Sequence, residues 1–415
     1  IRGQRFETNG DQIISNNPDK AGYDQKGYSA KIGVDNEQFA LSGEIKENKG
    51  HGDYFSYGAP QAYDFINRLY NIQSRLNLTD NLILNTRLSQ FEDQYNVVKA
   101  SYPSIVNTEQ QEIDSNLSWK FTPHQNALFG VQYNKTEAEK IAAYTGDEGF
   151  NSDNETIGYY LQHQFKNQYV STQAGVRVED NQQFGTHTVG QIAGRYFATP
   201  NTSIFANIGT AFRAPVIGQI ISEPAWWGGN PDLKPEESIS YELGFDHSLT
   251  NALQVYGSIY QTKIDNLMVS DSSTGWKYYN LDKATFTGTE LGLKWKQDNL
   301  FANAEYAYLQ PKNDETDKDA PNRPRQNFNL SLGWDNGIYG ASTSLVAKGK
   351  ASDTREIPGY AVIDMNAFWK ITPHVKTFVN IRNVGDTNYK TAVNDASSYY
   401  IASDRLSTVG LTLSY

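Results

Sequence analysis

The chain of 415 residues has no cysteine, 2 methionines, 27 tyrosines and a net charge of −11. A disulfide framework, a thiolate metal site and a cysteine nucleophile are therefore excluded, and the negative balance argues against the clustered basic footprint that nucleic-acid binding requires. Hydrophobic residues reach only 38 % while aromatics reach 13 %, and mean hydropathy is −0.62, as expected of a wall one residue thick rather than a packed core.

The N-terminal stretch "IRGQRFETNG" lacks the basic and apolar regions of a signal peptide, and no run of about 18 apolar residues makes a transmembrane helix. Along the chain, two kinds of connection alternate. Short turns rich in Asn, Asp, Gly, Pro and Thr occur at 34–38, 78–81, 121–126, 198–201, 248–252, 297–299, 335–337 and 371–374, as tight hairpins demand. Between them the sequence predicts long irregular loops at 9–26, 50–69, 98–109, 141–154, 213–237, 269–276, 312–324, 350–358 and 390–402.

The strands show a period of two. In "SYELGFD", Tyr241, Leu243 and Phe245 share one face; in "TELGLKWKQ", Leu291, Leu293 and Trp295 oppose Glu290, Gly292, Lys294 and Lys296. "NFNLSLGWD" sets Phe328, Leu330, Leu332 and Trp334 against Asn329, Ser331, Gly333 and Asp335, and "VIDMNAFWK" sets Ile363, Met365, Ala367 and Trp369 against Asp364, Asn366, Phe368 and Lys370. The ending "STVGLTLSY" keeps Val409, Leu411, Leu413 and Tyr415 in alternation to the last residue. One face is apolar and ends in an aromatic; the other is polar.

No long segment has a 3.6-residue apolar period, so the scaffold is predicted to hold essentially no helix. Propeller blades would need four short strands per span, where here there are two long strands and one long loop. The reading is all-β: one large antiparallel transmembrane β-barrel over 1–415, with about twenty strands visible, short turns at one end and long loops at the other. In lipid every backbone N–H and C=O must be paired internally, which a closed sheet achieves with only its outward half apolar. Charged residues such as Lys294 and Asp364 then face a wet lumen, and the terminal aromatics form interfacial girdles.

The segment "GTAFRAPVIGQIISEPAWWGGNPDLKPEESISYELG" (209–244) ends one strand at Arg213, breaks it at Pro215 and enters the next at Ser240. Its spelling resembles the G-x-A-F-R-A-P … G-N-P-x-L-x-P-E … Y-E-x-G signature of TonB-dependent outer-membrane receptors. "KYYNLDKATFTGTELGLKW" (277–295) and "IRNVGDTNYK" (381–390) are similar to further stretches of that family. The resemblance covers nearly the whole chain. It implies a barrel of roughly 22 strands in the bacterial outer membrane and active uptake of a large, scarce nutrient coupled to TonB. The family's plug and TonB box are absent from 1–415, so the plug and one or two initial strands are expected to be missing from this sequence.

Within the family the likeness is to cobalamin (vitamin B12) receptors, which implies cobalamin as the preferred substrate. Ferric siderophore or haem uptake is the alternative, and a passive porin-like channel or protein-docking surface a further one. The same likeness implies calcium-ordered extracellular loops, with Asp11, Asp24, Asp53 and Asp64 at ligating positions; Lys26 departs from the pattern where an acid is expected. Four carboxylates with carbonyls can supply the six to eight hard oxygens calcium takes, although Asp also occurs in loops simply as a turn former. Thr188, in a segment (181–191) similar to a ligand-touching loop, and Trp226 and Trp227, able to stack on a flat ligand, are candidate substrate contacts. The ending Leu411, Leu413 and Tyr415 resembles the signal read by the barrel assembly machinery. Outer-membrane lipid, lipopolysaccharide, phage and bacteriocins are the other expected partners.

An enzyme is not expected. The six histidines, at 51, 124, 163, 187, 247 and 374, are scattered without metal-ligand spacing, and no nucleophile-elbow or phosphate-loop pattern appears.

Overall fold

In the computed structural model of this chain, residues 1–415 are described except 57–58, 100–102, 142, 144–148, 222–228, 271–276 and 415. The strands are β1 (Arg2–Ile14), β2 (Asn17–Asp35), β3 (Phe39–Ser56), β4 (Ala59–Thr79), β5 (Leu82–Lys99), β6 (Ser104–Thr122), β7 (Gln125–Ile141) and β8 (Phe150–Lys166). They continue as β9 (Val170–Asn181), β10 (Gly185–Thr199), β11 (Thr202–Arg213), β12 (Glu236–Ser248), β13 (Leu253–Val269), β14 (Tyr279–Gln297) and β15 (Leu300–Asn313). The last are β16 (Gln326–Asp335), β17 (Tyr339–Lys348), β18 (Tyr360–Thr372), β19 (Val375–Arg382), β20 (Lys390–Val393), β21 (Tyr399–Ile401) and β22 (Leu406–Leu413). All 22 belong to one sheet.

Each strand from β1 to β19 pairs antiparallel with the next, and β19 then pairs with β22. β20 and β21 form a small hairpin set off the wall, pairing with β1, among the described residues, only where Ile14 faces Tyr400. Among the described residues the wall thus has twenty strands, the full set less that hairpin, in agreement with the count read from the sequence. Among the described residues β22 pairs only with β19, and β1 with β2 and that single position of β21. The C-terminal strand is therefore not sealed against the first, and Arg2–Thr8 and Leu406–Val409 stay exposed along both edges.

Alternation decides which residues meet lipid. Tyr241, Leu243 and Phe245 are 44 %, 50 % and 39 % exposed, as apolar side chains of a monomer would not be unless lipid covered them. The short-turn end carries the aromatic girdle: Trp119, Trp334 and Trp369 are exposed, and Tyr339 stacks on Trp369 at 6.0 Å. Facing inward are polar pairs such as Arg177 with Glu179 at 2.8 Å and Arg195 with Asp246. Inward tyrosines lie flat on glycines of the next strand: a Cβ on Gly292 would stand 2.1 Å from the Tyr256 ring.

Several expected loop bounds need correction, since strand also enters the predicted loops at 98–109, 141–154 and 390–402. The predicted loops at 9–26 and 50–69 are strand: β1 and β2 run to a tight turn at Ser15 and Asn16, while β3 reaches Ser56 and β4 starts at Ala59. These hairpins extend beyond the lipid, where water bathes both faces, so they carry no apolar alternation and read as loops. Likewise β12 begins at Glu236, four residues before Ser240. Among the described residues the helix expectation holds apart from one turn, α1 (Ile217–Ile220), in the connection after β11.

Candidate functional site

The large, well-exposed apolar side chains on the outward face of β2 to β4 reach as far as Tyr28, Ile45 and Tyr70. Beyond them, register sets Asp24 of β2 opposite His51 of β3, and His51 opposite Asp64 of β4. Asp53 lies two residues along β3, on the same face as His51. His51 Nδ1 is 2.7 Å from Asp64 Oδ1, and His51 Nε2 is 3.6 Å from Asp53 Oδ1. Asp53 Oδ2 also accepts the backbone N–H of Gly22 at 3.2 Å. Three of the four predicted aspartates therefore gather around a histidine that the sequence reading left among the scattered ones. The hydrogen bond to Asp64 raises the imidazole pKa; burial works against it, and the charges of Asp64, Asp53 and Asp24 add to the rise.

Asp11 does not join them. The β1–β2 ladder shifts by one residue between Thr8 and Asp11, so Asp11 stands opposite Ala21, on the other face from Asp24. Gly10 makes this bulge with a φ of 75°, a left-handed conformation that glycine adopts without strain. A Cβ there would sit 1.6 Å from the carbonyl oxygen of Ala21.

The donor set does not fit calcium as it stands. Calcium takes six to eight oxygens, whereas here an imidazole occupies the space between the carboxylates and Asp11 is turned away. Among the described residues no group of three or more His, Asp or Glu side chains is placed to hold a metal ion.

The other candidates are dispersed. Thr188 is in β10 rather than a loop, and faces Val178; it shares the parity of the lipid-facing Ile192 and Tyr196, away from the lumen. Near it His187 stacks on Phe212 at 3.7 Å between ring centroids and lies 3.3 Å from Glu237. Trp226, Trp227 and Tyr415 lie outside the described residues. Leu411 and Leu413 are on β22, 61 % and 56 % exposed.

The family-like motifs act as fasteners. Asn230 takes its N–H to Gln219 O at 2.7 Å and its side chain to Tyr278 O at 3.0 Å. Asn280 accepts from the Lys234 N–H at 2.9 Å and donates to Lys234 O and Asn266 O. Glu236 joins Arg213 at 3.0 Å and the Met268 N–H at 2.8 Å, while Leu233 is 4 % exposed. In the third motif Asn383, at φ 50°, bonds Thr387 in both directions and donates its N–H to Asp364 at 2.8 Å.

Comparison with known proteins follows the same lines. The family model described as TonB dependent receptor-like, beta-barrel matches residues 4–384. Among curated proteins, a "Vitamin B12 transporter BtuB" of Photobacterium profundum is 26 % identical over 391 residues, 89 % of this chain and 62 % of its own length. A protein of the same name from Vibrio vulnificus is 25 % identical over 295 residues, 69 % of this chain and 47 % of its own. The chain thus spans about six tenths or less of these relatives. Among solved structures, "Copper transporter OprC" superposes with a TM-score of 0.82 at 14 % identity, covering 100 % of this chain and 75 % of the other. The FrpB iron transporter of Neisseria meningitidis gives 0.82 at 13 % identity, covering 99 % and 77 %. The ferric enterobactin receptor PfeA of Pseudomonas aeruginosa gives 0.81 at 14 % identity, covering 95 % and 71 %. At such identities these structures share the fold alone. The family is one of outer-membrane receptors and transporters rather than enzymes, and with its model matching nearly the whole wall, this chain belongs to the TonB-dependent receptor β-barrels.

Proposed function

We propose that this chain is the barrel of a TonB-coupled receptor that takes up a large, scarce nutrient across the outer membrane, with cobalamin as the preferred substrate. The observation that carries the substrate is the likeness to proteins named vitamin B12 transporters over 89 % of the chain. Ferric siderophore or haem uptake is the second reading. The structural neighbours include iron and enterobactin receptors, yet at their identities they do not weigh one nutrient against another. Coupling to TonB, assembly through Leu411, Leu413 and Tyr415, and use by phage or bacteriocins belong to the same proposal. Calcium is no part of this reading, because His51 stands between the carboxylates that would hold the ion. Equilibrium binding of cyanocobalamin to the full-length receptor in detergent tests the substrate. Saturable binding in the nanomolar range is expected. No cobalamin binding alongside tight ferric-siderophore binding would transfer the proposal to the second reading, and ohmic conductance without TonB would favour a passive channel.

A further inference from the structure

The rim parts between β10 and β11. Their ladder ends at Gln191 opposite Gly209, yet β10 runs on to Gly185 in register with β9, and β11 to Arg213 in register with β12. At the fork a side chain stands in for the ladder: the Gly190 N–H donates to Thr210 Oγ1 at 2.9 Å, and that hydroxyl donates to Gly190 O at 3.4 Å. Neither Gly190 nor Gly209 has a side chain to resist a change of angle there. Above the fork a cavity of about 420 Å³ opens, lined by Thr186, Thr188, Ala211, Phe212 and Ile239 among others. One residue spans the gap. By alternation His187 belongs to the lumen side with Arg195, and Phe212 to the outward side with Ile208. Their rings, 3.7 Å apart and within 18° of parallel, therefore meet where the strands have parted.

Both ring nitrogens of His187 face acceptors. Nδ1 is 3.3 Å from Glu237 Oε1 on β12, across the gap, and Nε2 is 3.0 Å from the carbonyl oxygen of Phe184 on its own side. An imidazolium donates to both at once. A neutral imidazole has one N–H, so one of the two contacts fails whichever tautomer forms. Other charges near the ring are already engaged. Glu179, opposite His187 on β9, holds Arg177 at 2.8 Å; Asp180 accepts the Thr186 hydroxyl at 2.9 Å; and Arg213 of β11 pairs with Glu236 at 3.0 Å. Asp265 of β13 stands opposite Glu237, a like-charge pair that a cation at Glu237 relieves. We propose that the fork between β10 and β11 is a pH-set joint of the rim, latched while His187 is protonated and released when it is neutral, so that the mouth of the barrel widens. The connection leaving β11 crosses the joint as well, since α1 packs against β8, beyond β10 and β9, and opening shifts that connection relative to β8. Use of the joint to admit a bulky nutrient rests on the receptor reading above; the movement itself does not.

The test uses the chain reconstituted in nanodiscs. It has no cysteine, so spin labels attach only where Gln183→Cys and Lys263→Cys place them, at exposed positions on the two sides of the fork. Double electron–electron resonance reads the distance between them. One short distance is expected at about pH 5 and a second, longer population at about pH 8, the interval over which histidine changes charge. His187→Gln in the labelled chain is expected to show the longer distance at both. Heat-shifted migration on a gel verifies the barrel. Should that variant fail to fold, Glu237→Gln is read in its place, with the pH response expected to fall by more than half. A distance that ignores pH overturns the proposal. So does a pH response that survives intact in the variant, which would assign the movement to another group. Cyanocobalamin takes no part in the readout, so loss of the substrate reading leaves this result standing.

Discussion

Ser15 and Tyr399, 384 positions apart in the chain, exchange two hydrogen bonds: the Ser15 N–H donates to Tyr399 O at 2.9 Å, and the Tyr399 N–H donates to Ser15 Oγ at 3.0 Å. The Tyr399 ring, 8 % exposed, lies between the Arg355 guanidinium at 4.2 Å and the Lys390 ammonium at 4.0 Å. The tip of the first hairpin is thereby fastened to the β20–β21 hairpin. Ser15→Ala removes one bond, worth about 1 kcal/mol, and Tyr399→Ala removes a buried ring, worth about 3 kcal/mol. Amide exchange at residues 14–16 is expected to rise several-fold in the first and by two orders of magnitude in the second, with the wall unchanged.

Gly292 is needed because Tyr256 lies flat on it. Gly292→Ala is expected to lift the ring off the sheet, separating it from Lys294, now 4.9 Å from its centroid, and from Glu305, to which its hydroxyl donates. Overpacking of this kind costs about 1–3 kcal/mol, read as a lowered midpoint in urea unfolding from detergent. Tyr256→Phe removes only the hydroxyl bond and is expected to shift the midpoint less.

Asp395, at the tip between β20 and β21, accepts the N–H of Ser397 at 2.7 Å, its hydroxyl at 2.9 Å and the N–H of Ser398 at 2.8 Å. These bonds favour the ionised form, and the backbone bond from Ser397 contributes most to lowering its pKa to about 2. A depressed carboxylate pKa stabilises the tip fully above the ordinary value of 3.8 and loses that effect as pH falls toward about 2. Exchange protection at Ser397 and Ser398 is expected to hold from neutral pH to near pH 4 and to fall below it. In Asp395→Asn the fall is expected to vanish.

With His51 between Asp53 and Asp64, removing calcium with a chelator is expected to change ligand affinity of the full-length receptor by no more than about twofold. His51→Asn withdraws the imidazole and adds a carbonyl oxygen. It is expected to introduce a calcium dependence, measured by titrating the ion during ligand binding.

The wall was legible in the sequence because lipid outside and water inside impose a period of two on every strand. Tyr241 to Phe245 and Ile363 to Trp369 show it without any structure. The rim was not legible, because with water on both faces of β1 to β4 above Ile45 no apolar rhythm marks a strand. The cluster itself depends on register. His51 and Asp53 share a face by spacing alone, but His51 meets Asp64 only once the β3–β4 hairpin is closed. The family-like spellings were legible as spellings. That Asn230, Asn280 and Asn383 spend their amides on backbone carbonyls was not.

The bulge at Gly10 has a bearing on how such a rim diversifies. In a sheet each residue's side is set by counting, and the extra residue in β1 sets Asp11 and Gln12 opposite Ala21 and Lys20 before an extra residue in β2 shifts the register again ahead of Ile14. Deleting that glycine would pair Asn9 with Gly22 and leave Asp11 opposite Ala21, whereas drawing the bulge straight with no residue removed would bring Asp11 opposite Lys20, on the face shared by Asp24 and His51, and so alter the charge around the histidine. A substitution at Gly10 that does not tolerate the left-handed backbone, rather than a deletion, is thus the economical route by which a rim of this construction exchanges its inner chemistry for its outer.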